Sequence, residues 1–252
     1  MIELIDVTVA SSRQTDEAEI EGVQWAVEPG QFWVIGGLRG KSDFLATVAG
    51  LQKPLRGRVK WFGRELAVLS EQELVSERMK VGMVFEGSGR LFRHLTVAEN
   101  VALPLRYHHN YPEDDMLRMV QSVLELTELM PVAHQTPGAL SVGMQQCAAL
   151  ARALVLKPRV LLVDKPFISL RHLRWWQDIF QKVSRGASFN QNQPVTLVIT
   201  SDDIGPWLDY GTHFALLREH RWQMVGDRNA ARRLHPTLHA ALSEAQGGSG
   251  RI

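Results

Sequence analysis

Only one cysteine, Cys147, stands among the 252 residues. An internal disulfide is therefore excluded, and a reducing compartment is the expected setting. No apolar run approaches the ~20 residues that a membrane-spanning helix needs, so a role at a membrane has to come through a partner. The first twelve residues lack the basic stretch followed by an apolar stretch that marks a signal peptide. Charge of one sign is missing too. The formal net charge is +1, which gives no global drive toward nucleic acid, and no nucleic-acid partner is expected. Internal repeats are absent. What is present is ordinary for a globular domain, with 45% hydrophobic and 22% charged residues. The length suits one large domain or a core with a subdomain.

Along the chain, Ile2, Leu4, Ile5, Val7 and Val9 lie among polar residues as in a strand with one buried face. A second strand, a turn at Pro29–Gly30 and an apolar run from Phe32 to Ile35 come next, and that run ends in glycines. From Lys41 the pattern is helical: Phe44, Leu45, Val48 and Ala49 are three or four apart, and Gly50 closes the segment. Residues 57–66 read as a hairpin around Gly63. From about 70 to 158 the character is helical. Thr96 and Glu99 form a capping box, and Met116, Leu117, Val120, Val123, Leu124 and Leu126 form one apolar stripe. Strands return at 159–164, 194–200, 212–220 and 221–227. Strands alternating with helices predict an α/β domain with a mainly parallel sheet, an N-terminal antiparallel part and an inserted helical block. Residues 187–194 read as a polar loop, and the last ten residues as a disordered tail.

Two stretches carry chemistry. The first is Gly36-Gly37-Leu38-Arg39-Gly40-Lys41-Ser42. A glycine-rich turn between strand and helix that ends Gly-Lys-Ser holds phosphates: backbone N–H groups point inward, the helix start favours anions, the lysine adds charge and the serine can ligate Mg²⁺. The alternative is a glycine turn followed by a solvent lysine. The spacing is defective. In the pattern Gly-x-x-x-x-Gly-Lys-Ser, the first glycine position falls on Ile35. If Gly36 is the first glycine, the loop is one residue short. Asp43 suits the helix start but opposes a polyphosphate.

The second stretch runs from Ala139 to Phe167, with Leu140-Ser141-Val142-Gly143-Met144 opening an Ala-Arg-Ala helix, then Pro158 and the strand Leu161-Leu162-Val163-Asp164. In order and spacing it resembles the nucleotide-binding subunit of ABC transporters, where Leu-Ser-Gly-Gly-Gln opens the helix and Asp-Glu-Pro ends the strand. The resemblance extends over about residues 2–226. Residues 81–92, 140–144 and Phe167 are closest to the subunits of Mla-type transporters, which handle phospholipids. It implies an ABC-type P-loop NTPase core at about 1–86 and 159–226 and a helical subdomain at about 87–158. Residues 227–252 would add a C-terminal helix and a flexible tail. It also implies ATP and Mg²⁺ as cofactors, held by Gly36, Gly37, Gly40, Lys41, Ser42 and Asp164, with Ser42 and Asp164 on the metal. A membrane permease would meet residues 87–106. A homo- or heterodimer of nucleotide-binding subunits would bring Ser141, Val142 and Gly143 to a partner's site. The place implied is cytoplasmic, peripheral on the inner face of the cell membrane.

The departures from that family fall on the hydrolytic groups. Lys165 stands where the glutamate polarises the attacking water. Two unit charges at ~4 Å interact by roughly 4 kcal/mol at an effective dielectric near 20, so an ammonium there disfavours the metal. Losing a positioned general base costs about 10²–10⁴-fold in rate. Lys165 either replaces the cation and contacts phosphate or makes a salt bridge to Asp164 or Glu86. Glu86 takes the place of the Q-loop glutamine, and Ser201 that of the switch histidine. Arg171 replaces the carboxylate that speaks across the dimer. Val142 puts a β-branched side chain where backbone meets phosphate. The expectation is a pseudo-ATPase kept for docking or dimerisation. The rivals are binding of ATP without turnover, an active ATPase with unusual residues, and a soluble ABC-type regulatory scaffold.

Overall fold

The computed structural model describes residues 1–12, 18–37, 39–87, 89–108, 111–166, 172–186 and 193–235. Strands β1 (Ile2–Ala10), β2 (Ala18–Val27) and β3 (Phe32–Gly37) lead into α1 (Lys41–Val48), then β4 (Arg56–Trp61), β5 (Arg64–Glu65), α2 (Glu71–Arg78) and β6 (Val81–Val84). Three helices come next, α3 (Val97–His108), α4 (Glu113–Leu126) and α5 (Val142–Leu154). The chain then re-enters the sheet with β7 (Val160–Val163), α6 (His172–Ser184), β8 (Thr196–Ser201), β9 (His213–Arg218) and β10 (Arg221–Asp227). Helical turns run from 228 to 235.

All ten strands form one sheet, ordered β5-β4-β1-β2-β10-β9-β3-β8-β7-β6. One half is parallel: β9, β3, β8, β7 and β6 run side by side in one direction. Residues on both faces of this half are buried, so β3, β7 and β8 are continuous apolar or small runs rather than alternating ones. Val34, Val163 and Ile199 face a core shared with α3, α4, α5 and α6. Trp33, Leu162 and Val198 face a second core built with α1 and the antiparallel strands β1, β2 and β4. In β1 the alternation is interrupted: Asp6 adopts φ 50° and the register with β2 shifts between Leu4 and Val7. That bulge keeps Val7 and Val9 inward and leaves Ile5 half-buried.

The capping box at Thr96 is formed, with the Thr96 N–H donating to Glu99 at 2.7 Å and the Glu99 N–H to Thr96 Oγ1 at 3.2 Å. Two expectations are corrected. The stretch 70–158 is not helical throughout, because β6 lies within it and pairs with β7 from Val81↔Val160 to Val84↔Val163. Leu117 does not join the α4 stripe; it is 58% exposed while Val120, Val123 and Leu124 are buried. Its direction on the helix is close to that of Leu124, but it sits in the first turns of α4, ahead of the buried row. The loop at 187–194 lies almost wholly outside the described residues, as do Arg171, Phe167 and the tail.

Candidate functional site

The parallel strands end together. Val84 pairs with Val163, Val163 with Ile199, and β8 runs beside β3 with Thr200 opposite Ile35 and Ser201 opposite Gly36. The segments that leave these strands therefore meet at one edge of the sheet, where open parallel sheets place ligands. Glu86 arrives from β6, Asp164 and Lys165 from β7, Ser201 and Asp202 from β8, and the turn to Lys41 from β3.

Gly36 and Gly37 belong to β3 rather than to a free loop, with Gly37 opposite Leu217. A Cβ on Gly36 would lie 2.7 Å from Ile204 Cγ2 and 2.8 Å from Leu216 Cδ2, so this glycine serves strand packing. Helix α1 opens directly at Lys41 after Gly40, which takes φ 76°. A Cβ there would meet the Glu19 side chain at 3.0 Å, so β2 covers the turn. Lys41 is only 1% exposed; its ammonium donates to Gly37 O and lies 2.7 Å from Asp202 Oδ1. Burial pulls this ammonium below the usual lysine range, and the hydrogen bond and charge of Asp202 offset part of that. Ser42 is exposed on the first turn of α1.

Asp164 is 3% exposed, and its carboxylate accepts from Thr200 Oγ1 at 2.7 Å. The same hydroxyl accepts from the Lys165 N–H at 2.9 Å, which holds Lys165 in the left-handed region at φ 42°. The Lys165 side chain pairs with Glu86, 3.3 Å from Oε1 and 3.2 Å from Oε2. The salt bridge expected to Asp164 or Glu86 is therefore made with Glu86. Burial works against the charge on Lys165, but the hydrogen bond to Glu86 and the fields of Glu86, Asp202 and Asp164 outweigh it and raise its pKa. Ser201 points inward, donating to Asp203 O at 2.5 Å and accepting from Trp207 Nε1 at 3.3 Å.

The motif residues on α5 occupy a separate element. Ser141 is the N-cap, its Oγ accepting from Met144 N at 3.3 Å. Val142 is 46% exposed beside it, and Gly143 is buried. Further along α5, buried Gln146 reaches Phe85 O at 3.1 Å, Asp164 O at 3.3 Å and Lys165 O at 3.2 Å. The helix is thereby tied to the ends of β6 and β7. Sequence reasoning assigns no part to Asp202, Thr200, Gln146 or Glu19. The signal for Asp202 is the pair Asp202-Asp203 directly after a strand, and using it requires knowing that β8 neighbours β3.

As arranged, these residues do not fit a magnesium–triphosphate poised for hydrolysis. The Lys41 ammonium is already paired, Asp164 is followed by a cation, and no carboxylate stands free at position 165 to receive a proton. Among the described residues no group of three or more His, Cys, Asp or Glu side chains gathers to hold a metal.

Residues 20–168 match the family profile described as ABC transporter. The chain is 34% identical over 231 residues to the spermidine/putrescine import ATP-binding protein PotA of Acidothermus cellulolyticus, covering 89% of this chain and 57% of that protein. It is 34% identical over 166 residues to the intermembrane phospholipid transport system ATP-binding protein MlaF of Haemophilus influenzae, covering 65% of this chain and 62% of that one. The chain thus spans little more than half the length of such relatives. A dimeric ATP-binding cassette solved in a post-hydrolysis state with ADP and Pi superposes with a TM-score of 0.76 at 27% identity, over 88% of this chain and 96% of that one. A component of the ABC transporter complex cbiONQ of Clostridium perfringens shares the fold, with a TM-score of 0.75 over 97% and 98% of the two chains. Glycine turn into helix, capped helix α5 and buried strand into Asp164 occur here in one chain with that fold, and the chain belongs to the ABC transporter family.

Proposed function

We propose that this subunit is a pseudo-ATPase: it works in an ABC transporter complex at the membrane, with weak or no ATP hydrolysis, and serves docking and dimerisation. The observation that carries the reading is the Lys165–Glu86 ion pair. It joins two of the positions that the family uses for water activation and phosphate sensing, and it satisfies each with the other. The substitutions are therefore mutually consistent in space. Lys41, Ser42 and Asp164 would hold nucleotide and Mg²⁺, and Ser141 and Gly143 would face a partner's nucleotide.

The likeness to MlaF supports a lipid-related role. Its partner would be a membrane permease, and the surface for it residues 87–106. A cleft of about 210 Å³ between β6 and α3, lined by Met79, Val81, Met83, Pro104 and Leu156, adjoins that surface. The core at 1–86 and 159–226, the helical block at 87–158 and a peripheral place on the inner membrane face belong to the same reading. No described helix is long and apolar enough to cross a membrane, so attachment falls to the permease.

Affinity purification from detergent-solubilised membranes tests this. The chain is expected to carry an integral membrane protein with it, to lose it on combined Leu91→Ala and Phe92→Ala substitution, and to show no steady phosphate release as a complex. Purification alone, or release abolished by Lys41→Ala, overturns the reading.

A further inference from the structure

We propose that Asp202 is a built-in anion that occupies the Lys41 ammonium and so decides whether a phosphate group enters the turn between β3 and α1. The proposal rests on the degenerate-subunit reading and adds the residue that governs its site. Lys41 is 1% exposed and Asp202 61% exposed, with 2.7 Å between their charged atoms. A buried ammonium thus meets a solvent-facing carboxylate before it meets anything from outside. Lys41 also donates to Gly37 O, so part of its remaining donor capacity is taken up as well.

Ser201 aims Asp202. Its place opposite Gly36 in the β8–β3 ladder brings the end of β8 alongside the turn. Its hydroxyl donates to Asp203 O at 2.5 Å and accepts from Trp207 Nε1 at 3.3 Å. Asp203 in turn accepts from Gly205 N at 2.8 Å, and His235 Nε2 lies 3.3 Å from the same carboxylate oxygen. Residues 201–205 therefore form a tied turn that directs one carboxylate toward the C-terminal segment and the other onto Lys41. The hydroxyl at position 201 is a structural part of this plug, since it is 3% exposed and both donates to Asp203 O and accepts from Trp207 Nε1. A phosphate has to displace a group of its own charge, and the two compete for one ammonium.

The test is calorimetric titration of the whole chain with ATP, pyrophosphate and adenosine, in EDTA and again in Mg²⁺. Asp202→Asn is expected to bind ATP and pyrophosphate at least tenfold more tightly than the wild type, with adenosine unchanged and with the gain lost when Lys41→Ala is added. A gain below tenfold, or one that survives Lys41→Ala, overturns the proposal. Where Asp202→Asn does not fold, Ser201→Ala decides: it unties the turn without leaving a charge unpaired, and a gain of threefold or more supports the proposal while a smaller one overturns it. Phosphate release is followed in the same samples. Steady release by the wild type contradicts the loss of hydrolysis, whereas the affinity ratios alone decide the part played by Asp202.

Discussion

Lys165 holds its left-handed backbone, φ 42°, because Thr200 takes its N–H and Glu86 takes its ammonium. The pair is partly exposed, at 27% and 52%, and pairs of that kind contribute about 0.2–1 kcal/mol. Lys165→Glu therefore places two carboxylates together and is expected to lower the unfolding free energy by about 1 kcal/mol, read as a shift in denaturant midpoint. By itself it restores no hydrolysis, because Glu86, Ser201 and the paired Lys41 remain. Cys147 is buried in α5, and burial pushes its thiol up to about 12. The native protein is expected to react only marginally with a thiol reagent at pH 7 and fully on unfolding. Rapid native labelling would show that α5 opens. At this scale much is legible in the sequence: a Lys165–Glu86 pair is one of the alternatives it offers, because both residues sit in recognisable motif slots. Asp202 is not legible, because its meeting with Lys41 depends on the β3–β8 register, which no local pattern contains.

Helix α2 shows what a single element owes to its ends. Ser70 caps it and forms a reciprocal box with Glu73, and Arg64 of β5 also pairs with Glu73. The hydrogen bonds from the Ser70 side chain and backbone, joined by Arg64, lower the Glu73 carboxyl from 4.5 to about 2. A carboxyl depressed in the folded state stabilises the fold fully above its unfolded value and loses that contribution as pH falls through its folded one. The α2 contribution is thus expected to fade between pH ~4.5 and ~2. Side-chain NMR titration checks it, with Ser70→Ala returning Glu73 toward the ordinary carboxylate range. The apolar runs of β3 and β7 and the box at Thr96 are readable from sequence as elements. The four-residue β6 is not, since Gly82 breaks its short apolar run where β7, of the same length, is apolar throughout, and its strand form is set by pairing with β7.

At the scale of the whole molecule, two cores pack on opposite faces of one sheet, and the seam between the antiparallel part and the helices depends on a few large side chains. Trp61 is fully buried and its indole N–H donates to Val48 O at 2.9 Å, joining β4 to α1. Trp61→Ala is expected to cost about 3–5 kcal/mol. Val68→Ala, at a position 75% exposed, is expected to stay within about 0.5 kcal/mol. The first shifts the denaturation midpoint strongly and the second barely. The same scaffold gathers the ends of β6, β7, β8 and β3 at one edge and fills that edge with Lys41–Asp202 and Lys165–Glu86 pairs. In the proposed pseudo-ATPase this architecture is kept while hydrolysis is lost. The direct measurement is a single-turnover assay with γ-labelled ATP, excess protein and Mg²⁺, run beside Lys41→Ala. No labelled phosphate above the buffer control is expected from either protein. One phosphate released per ATP by the wild type, and none by Lys41→Ala, would contradict it.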